Sequence, residues 1–215
     1  MLLTIGEFHE RVKLRLDELV SDLQDNTGRY GDEEANAWKN SLPAVSRAFS
    51  NPSFKDLHLY FGGNGRLSLE YRLPSSSSWC DMVLLGSHQG DPSAVVVELK
   101  DWITRSDKPG DAEGLMLRHT GVTLHPSDQV RGYTEYCRRF HSAVQENGAK
   151  VHGCVVFTKD TICARYADPP NHDLVKQYPI FTLSDSDVRE EIPRYFGEKL
   201  TKPDSRFAEA FENGV

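Results

Sequence analysis

The sequence predicts an α/β fold: a helix, three strands, a helix and a fourth strand, with additions at both ends. Three observations carry this. Apolar residues recur at helical spacing near the N-terminus and again over 127–145. Three short runs with strand character, 67–73, 79–85 and 94–100, follow one another between turn residues. A continuous apolar run at 151–157 then reads as a strand buried on both faces.

At the N-terminus, Thr4-x-x-Glu7 has the form of a capping box, and Ile5, Phe8, Val12, Leu16, Leu19 and Leu23 repeat at helical spacing, predicting one long helix over 4–25. Asn26, Gly28 and Gly31 end it. A second helix starts near Asp32, with Trp38, Leu42, Val45 and Phe49 inward and Pro43 as a possible kink. Gly62-Gly63-Asn64-Gly65 is a turn before the three strands. Residues 102–124, with Pro109-Gly110 and Gly114, form an excursion containing a short hairpin, a candidate lid or substrate-gripping loop with Lys108, Arg118 and His119. His125-Pro126-Ser127 reads as the cap of a helix whose stripe is Val130, Tyr133, Cys137, Phe140 and Val144. The C-terminal part adds a strand over 180–183 and helices over 185–196 and 204–212. This divides the chain into a helical extension (1–31), a core (32–160) and an addition packed on it (161–215).

Composition bounds the function. A chain of 215 residues, 38% hydrophobic and 27% charged, is one globular domain with trimmings. No run approaches the ~18 apolar residues of a membrane span. The start, Met1 to Ile5, turns charged at Glu7, Glu10 and Arg11, unlike a secretory signal, and four scattered cysteines suit a reducing cytoplasm. A net charge of −7 argues against a module whose sole task is holding nucleic-acid phosphate, but not against an enzyme whose carboxylates bind cations.

Asp81 and Glu98 are the informative pair. If the runs at 79–85 and 94–100 form a hairpin that pairs Gly86 with Ser93, Asp81 falls opposite Glu98, with Lys100 on the same face and Leu99 on the other. Opposed carboxylates repel, and among Val83, Leu85 and Val95 to Val97 they sit where bare charge is costly. A divalent cation resolves the conflict, and oxygen-only ligands favour Mg²⁺ or Mn²⁺ over zinc. The alternative is that Glu98 and Lys100 pair with groups on other elements.

Glu98-Leu99-Lys100 closes a Val-Val-Val run, and Gln129 and Tyr133 stand four apart on one helix face. This set resembles the PD-(D/E)XK nuclease superfamily, and within it the RecB-like branch. More specifically, Trp38-Lys-Asn-Ser41-Leu-Pro43, Leu69-Glu-Tyr-Arg-Leu-Pro74, Val97-Glu-Leu-Lys-Asp-Trp102 and His125-Pro-Ser-Asp-Gln129-Val-Arg-Gly-Tyr133 resemble the N-terminal nuclease-like domain of bacterial Schlafen-like superfamily-1 helicase proteins. The resemblance covers roughly residues 35–160. Cys80 stands where that pattern has proline, and Trp79 where relatives often carry a basic residue.

The resemblance implies a restriction-endonuclease-like αβββαβ core with a mixed sheet flanked by helices. It implies hydrolysis of phosphodiester bonds, of DNA before RNA, in a cytoplasmic setting of repair or anti-phage defence, with a superfamily-1 helicase as partner in cis or trans. A catalytically silent module that binds nucleic acid or a helicase is the competing reading. By resemblance Asp81, Glu98 and the Leu99 carbonyl ligate Mg²⁺ (Mn²⁺ substituting), Lys100 acts on water or phosphate, Gln129 holds Lys100 or a metal-bound water, and Tyr133 shapes the wall. Glu34, one turn before Trp38, or Glu70 supplies a further acid; His125, Arg131 and Arg118 are candidates for touching substrate, as are Arg138 and Arg139 for a backbone. Cys80, Cys137, Cys154 and Cys163 lack the clustering of an iron–sulfur site, so buried thiols without iron or zinc are expected.

Overall fold

In the computed structural model, which describes residues 1–28, 30–61 and 81–214, the elements run β1 (Leu2–Thr4), α1 (Ile5–Leu14), α2 (Leu16–Thr27), α3 (Asp32–Ala48), β2 (His58–Tyr60), β3 (Met82–His88), β4 (Asp91–Lys100), β5 (Lys108–Pro109), β6 (Leu115–Arg118), β7 (Gly121–Leu124), α4 (Pro126–Phe140), α5 (Ser142–Asn147), β8 (Lys150–Phe157), α6 (His172–Gln177), β9 (Ile180–Phe181), α7 (Ile192–Gly197) and α8 (Ser205–Asn213). The expected turn at Gly62–Gly65 and strand at 67–73, and the first residues of the run at 79–85, lie outside the described residues.

A six-stranded mixed sheet, β1-β2-β3-β4-β8-β9, organises the chain. β1 to β4 pair antiparallel, whereas β4–β8 and β8–β9 are parallel. The parallel step needs a crossover, and α4 and α5 supply it. Helices cover both faces. Ile5, Phe8, Leu19, Val45 and Phe196, from α1, α2, α3 and α7, pack on the face of Leu84, Val95 and Val97. Val130, Tyr133 and Cys137 of α4, with Phe207 and Phe211 of α8, pack on the face of Val83, Ala94 and Val96. A mixed α/β fold with a helix-flanked sheet thus agrees with the sequence reading.

Two local features set the geometry of the candidate site. Gln89 and Gly90 both have positive φ, 55° and 91°, and close β3 onto β4 as a two-residue turn. The resulting register pairs Gly86 with Ser93 and Met82 with Val97. At Gly153 of β8 a Cβ would stand 2.5 Å from Val130 Cγ1 and 2.7 Å from Thr134 Cγ2. Glycine there lets α4 lie directly on the sheet.

The differences from expectation are local. The N-terminal helix is two helices, broken at Arg15, and its capping box at Thr4 and Glu7 is present. β1 and β2 were not foreseen. Pro43 leaves α3 continuous, whereas the helix expected over 127–145 turns at His141 into α5.

Candidate active site

The site stands where β4 ends beside the start of α4. Continuing the β3–β4 register by one residue brings Asp81 opposite Glu98, as the hairpin argument requires. Lys100 Nζ donates to Glu98 Oε1 at 2.5 Å and to Gln129 Oε1 at 2.9 Å, and Gln129 Nε2 donates to the Tyr133 hydroxyl at 3.1 Å. Side chains from β4 and α4 thereby form one chain of contacts. Tyr133 is buried against the sheet, so its ring fixes the helix while its oxygen braces Gln129.

Glu98 is 2% exposed, and its Oε2 is buried without a hydrogen-bond partner. Burial, and then the charge of Asp81, push its carboxyl up to about 8 against the opposing pull of the Lys100 ammonium. Asp81 is exposed, and its Oδ2 accepts the Leu99 N–H at 2.8 Å. The Lys100 carbonyl turns toward β8, accepting from Thr158 N–H at 2.9 Å. Alternation then directs the Leu99 carbonyl, like its N–H, to the Asp81 side of the strand. A buried carboxylate oxygen without a partner, a second carboxylate and a carbonyl turned toward it form an oxygen-rich set that suits a hard divalent cation.

The other expected residues are placed as follows. Glu34 is half-buried on α3, which packs on the opposite face of the sheet. It does not join Asp81 and Glu98: among the described residues no three His, Cys, Asp or Glu side chains stand close enough to share a metal ion. Glu70 lies outside the described residues. His125 caps α4 directly. Its Nδ1 accepts the Ser127 N–H at 3.1 Å and its Nε2 lies 3.0 Å from the Tyr166 carbonyl, an arrangement that uses both ring nitrogens of a neutral imidazole. Burial lowers its pKa to about 4, outweighing the Tyr166 carbonyl.

Arg131 pairs with Asp128 and, at 3.0 Å, with Glu113, tying α4 to the excursion. Arg118 Nε donates to the fully buried Asp107 at 3.0 Å, and its guanidinium carbon lies 3.8 Å from the centroid of the Trp102 ring. Both arginines are thus engaged within the chain. Arg138 and Arg139 pair with Glu135, as a solvated helix face would. Cys137 and Cys154 are buried, and burial raises the Cys137 thiol to about 12. Cys80 lies outside the described residues.

The excursion is a packed three-stranded sheet, β5-β6-β7, pinned by its neighbours. Asn171 accepts the Gly114 N–H at 2.8 Å and donates to the Leu115 carbonyl at 3.1 Å, while Met116 is fully buried. The residues sequence reasoning missed are Asp107, Tyr166 and Trp102. Trp102 had a signal: it falls two positions after Lys100, where an extended chain returns a side chain to the same side. Searches against family models, curated proteins and solved structures found no match.

Proposed function

We propose that this chain is a metal-dependent nuclease that hydrolyses phosphodiester bonds of nucleic acid, DNA before RNA. The observation that carries the reading is the contact chain from Glu98 through Lys100 and Gln129 to Tyr133, beside Asp81 and the unpartnered Glu98 Oε2. Oxygen donors of Asp81, Glu98 and Leu99 would hold Mg²⁺ or Mn²⁺. Such an ion, when bound, supplies Lewis acidity toward a phosphate and lowers the pKa of water.

The chain's own residues divide the remaining work. Lys100 carries the charge that offsets negative charge growing on the attacked phosphate, a task of positioning and electrostatics. Gln129 aims that ammonium, and Tyr133 keeps Gln129 from turning away. Glu98 holds Lys100 close in the apo protein. On this reading nucleic acid is the partner, with a superfamily-1 helicase in cis or trans.

The test is cleavage of labelled single- and double-stranded DNA and RNA with Mg²⁺ or Mn²⁺. Lys100→Ala should lower the rate on the order of 10²–10³-fold while keeping its fold and its stabilisation by metal; Asp81→Asn should lose that stabilisation. Cleavage by Lys100→Ala at the wild-type rate would refute the assignment.

A further inference from the structure

Beyond the end of β4 the chain carries an aromatic ring back beside the candidate site. Trp102 follows Lys100 by two residues, and the Lys100 ammonium lies 5.0 Å from the centroid of its indole ring. The same ring carries the Arg118 guanidinium at 3.8 Å and meets Phe157 edge-on at 6.4 Å. Arg118 is fixed in turn: its Nε donates to Asp107 Oδ2 at 3.0 Å, and the Tyr166 hydroxyl donates to the same oxygen at 2.7 Å. Tyr166 packs edge-on against Phe157 at 5.2 Å, which closes the arrangement.

The energetics of Asp107 give this arrangement its meaning. Its side chain is fully buried, and its Oδ1 is buried without a hydrogen-bond partner. A buried, half-satisfied carboxylate is costly and persists only beside a counter-charge. Arg118, 10% exposed, is that counter-charge. A surface hairpin that merely decorates the molecule needs no such pair. What the pair achieves is to fix a planar cation over one indole, and the indole stands beside Lys100.

We infer that Arg118 is a positioning residue: with Asp107 and Tyr166 it locks the Trp102 ring, and that ring, with Glu98 and Gln129, fixes the place of the Lys100 ammonium. The excursion over 102–124 is thus part of the site's framework. Its catalytic consequence rests on the nuclease reading; the placement of Lys100 does not. Two of the three ammonium donors are taken by Glu98 and Gln129. The ring limits where the third can point, which is the direction left for a phosphate oxygen.

The test pairs a spectroscopic readout with kinetics. In protein carrying ¹³C-lysine, the Lys100 ε-methylene signal, assigned by its loss in Lys100→Arg, should stand upfield of exposed lysines through the Trp102 ring current. Arg118→Ala alone strands the Asp107 charge and risks unfolding. The double variant Asp107→Asn with Arg118→Gln removes both charges and leaves hydrogen-bonding groups of similar size. In it the Lys100 signal should move downfield, and kcat should fall about ten- to thirtyfold, the scale of a partly to fully desolvated cation–π contact, with KM unchanged. Trp102→Phe, which keeps an aromatic ring, should retain most of both. A Lys100 signal that stays in place in the double variant overturns the inference, as does one that moves in a cleaving protein whose kcat does not. A wild type that cleaves nothing sinks the nuclease reading instead, and the signal alone then decides the positioning.

Discussion

Glu98 is a buried carboxyl whose protonation differs between the folded and the unfolded chain. Folded, its carboxyl sits near 8, raised first by burial and then by Asp81; unfolded, it returns to the ordinary carboxylate range. Between those values the folded chain holds a proton that the unfolded chain has released. The stability tied to this residue is therefore fully present at acid pH and lost as pH rises toward 8. Glu98→Gln keeps shape and hydrogen bonding without the charge. Its apo protein should melt on the order of 5 °C above wild type at pH 8–9, and at nearly the same temperature near pH 4.5, by differential scanning calorimetry. Lower stability than wild type at pH 9 would mean the carboxylate is welcome there without metal. The opposition of Asp81 and Glu98 was legible because side-chain alternation is strict and one register fixes every pair. The hydrogen bond from Leu99 N–H to Asp81 was not, because a side-chain-to-backbone bond depends on a rotamer that no periodicity encodes. Arg118 was legible as a cation near the site, but its partner was not: Asp107 stands 11 residues away in an irregular stretch whose path no periodicity encodes.

At the scale of elements, the site exists because α4 lies close enough to β8 for Gln129 to reach Lys100. Gly153 makes this possible. A valine there would force the helix away or crowd Val130 and Thr134, at a cost of about 1–3 kcal/mol. Gly153→Val should therefore lower the melting temperature by several degrees and, with the Lys100–Gln129 contact stretched, lower cleavage more than the stability loss explains. Cleavage assayed well below the melting temperature separates the two effects, and wild-type activity there would free α4's distance from any functional role. The elements themselves were unequally readable. The hairpin β3–β4, the crossover helix and β8 were foreseen, but with other bounds: β3 and β4 run on through the expected loop at 86–92 to a two-residue turn, and the helix expected over 127–145 breaks at His141. β1 and β2, of three residues each, are too short to show alternation; they are strands because they pair with each other and with β3, a tertiary fact. The break at Arg15 has no glycine or proline to announce it, and the apolar repeat runs on through it. Nothing in the structure explains why it falls at Arg15.

For the whole molecule, the titrating groups buried on different elements oppose one another, and their balance shapes stability against pH. His125 on the α4 cap, His141 stacked on Phe211 at 4.0 Å, and His152 on β8 all have pKa values lowered to about 4, chiefly by burial. For each, the unfolded chain takes up a proton near pH 6.5 that the folded chain refuses until about 4. Their contribution is complete above pH 6.5 and lost as pH falls toward 4. Glu98 acts with the opposite sign on the alkaline side, losing stability as pH rises toward 8. A melting-temperature profile of the metal-free protein should consequently peak near pH 6.5 and fall on both limbs. The acid limb belongs mainly to three histidines, two at the ends of α4 and one on β8, the alkaline limb to one carboxylate at the candidate site. The two can be separated by substitution. His125→Asn keeps a capping side chain for α4 and removes one titration, so it should flatten the acid limb by about 2 kcal/mol between pH 7 and 4.5, leaving the alkaline limb intact. Glu98→Gln should flatten the alkaline limb alone. Saturating Mg²⁺ or Mn²⁺ should erase that same limb in wild type, because a bound cation favours the ionised carboxylate and binds only the folded chain. An alkaline limb that persists unchanged in saturating metal would show that Glu98 does not hold the ion, and would leave the Lys100–Glu98 contact as an internal ion pair.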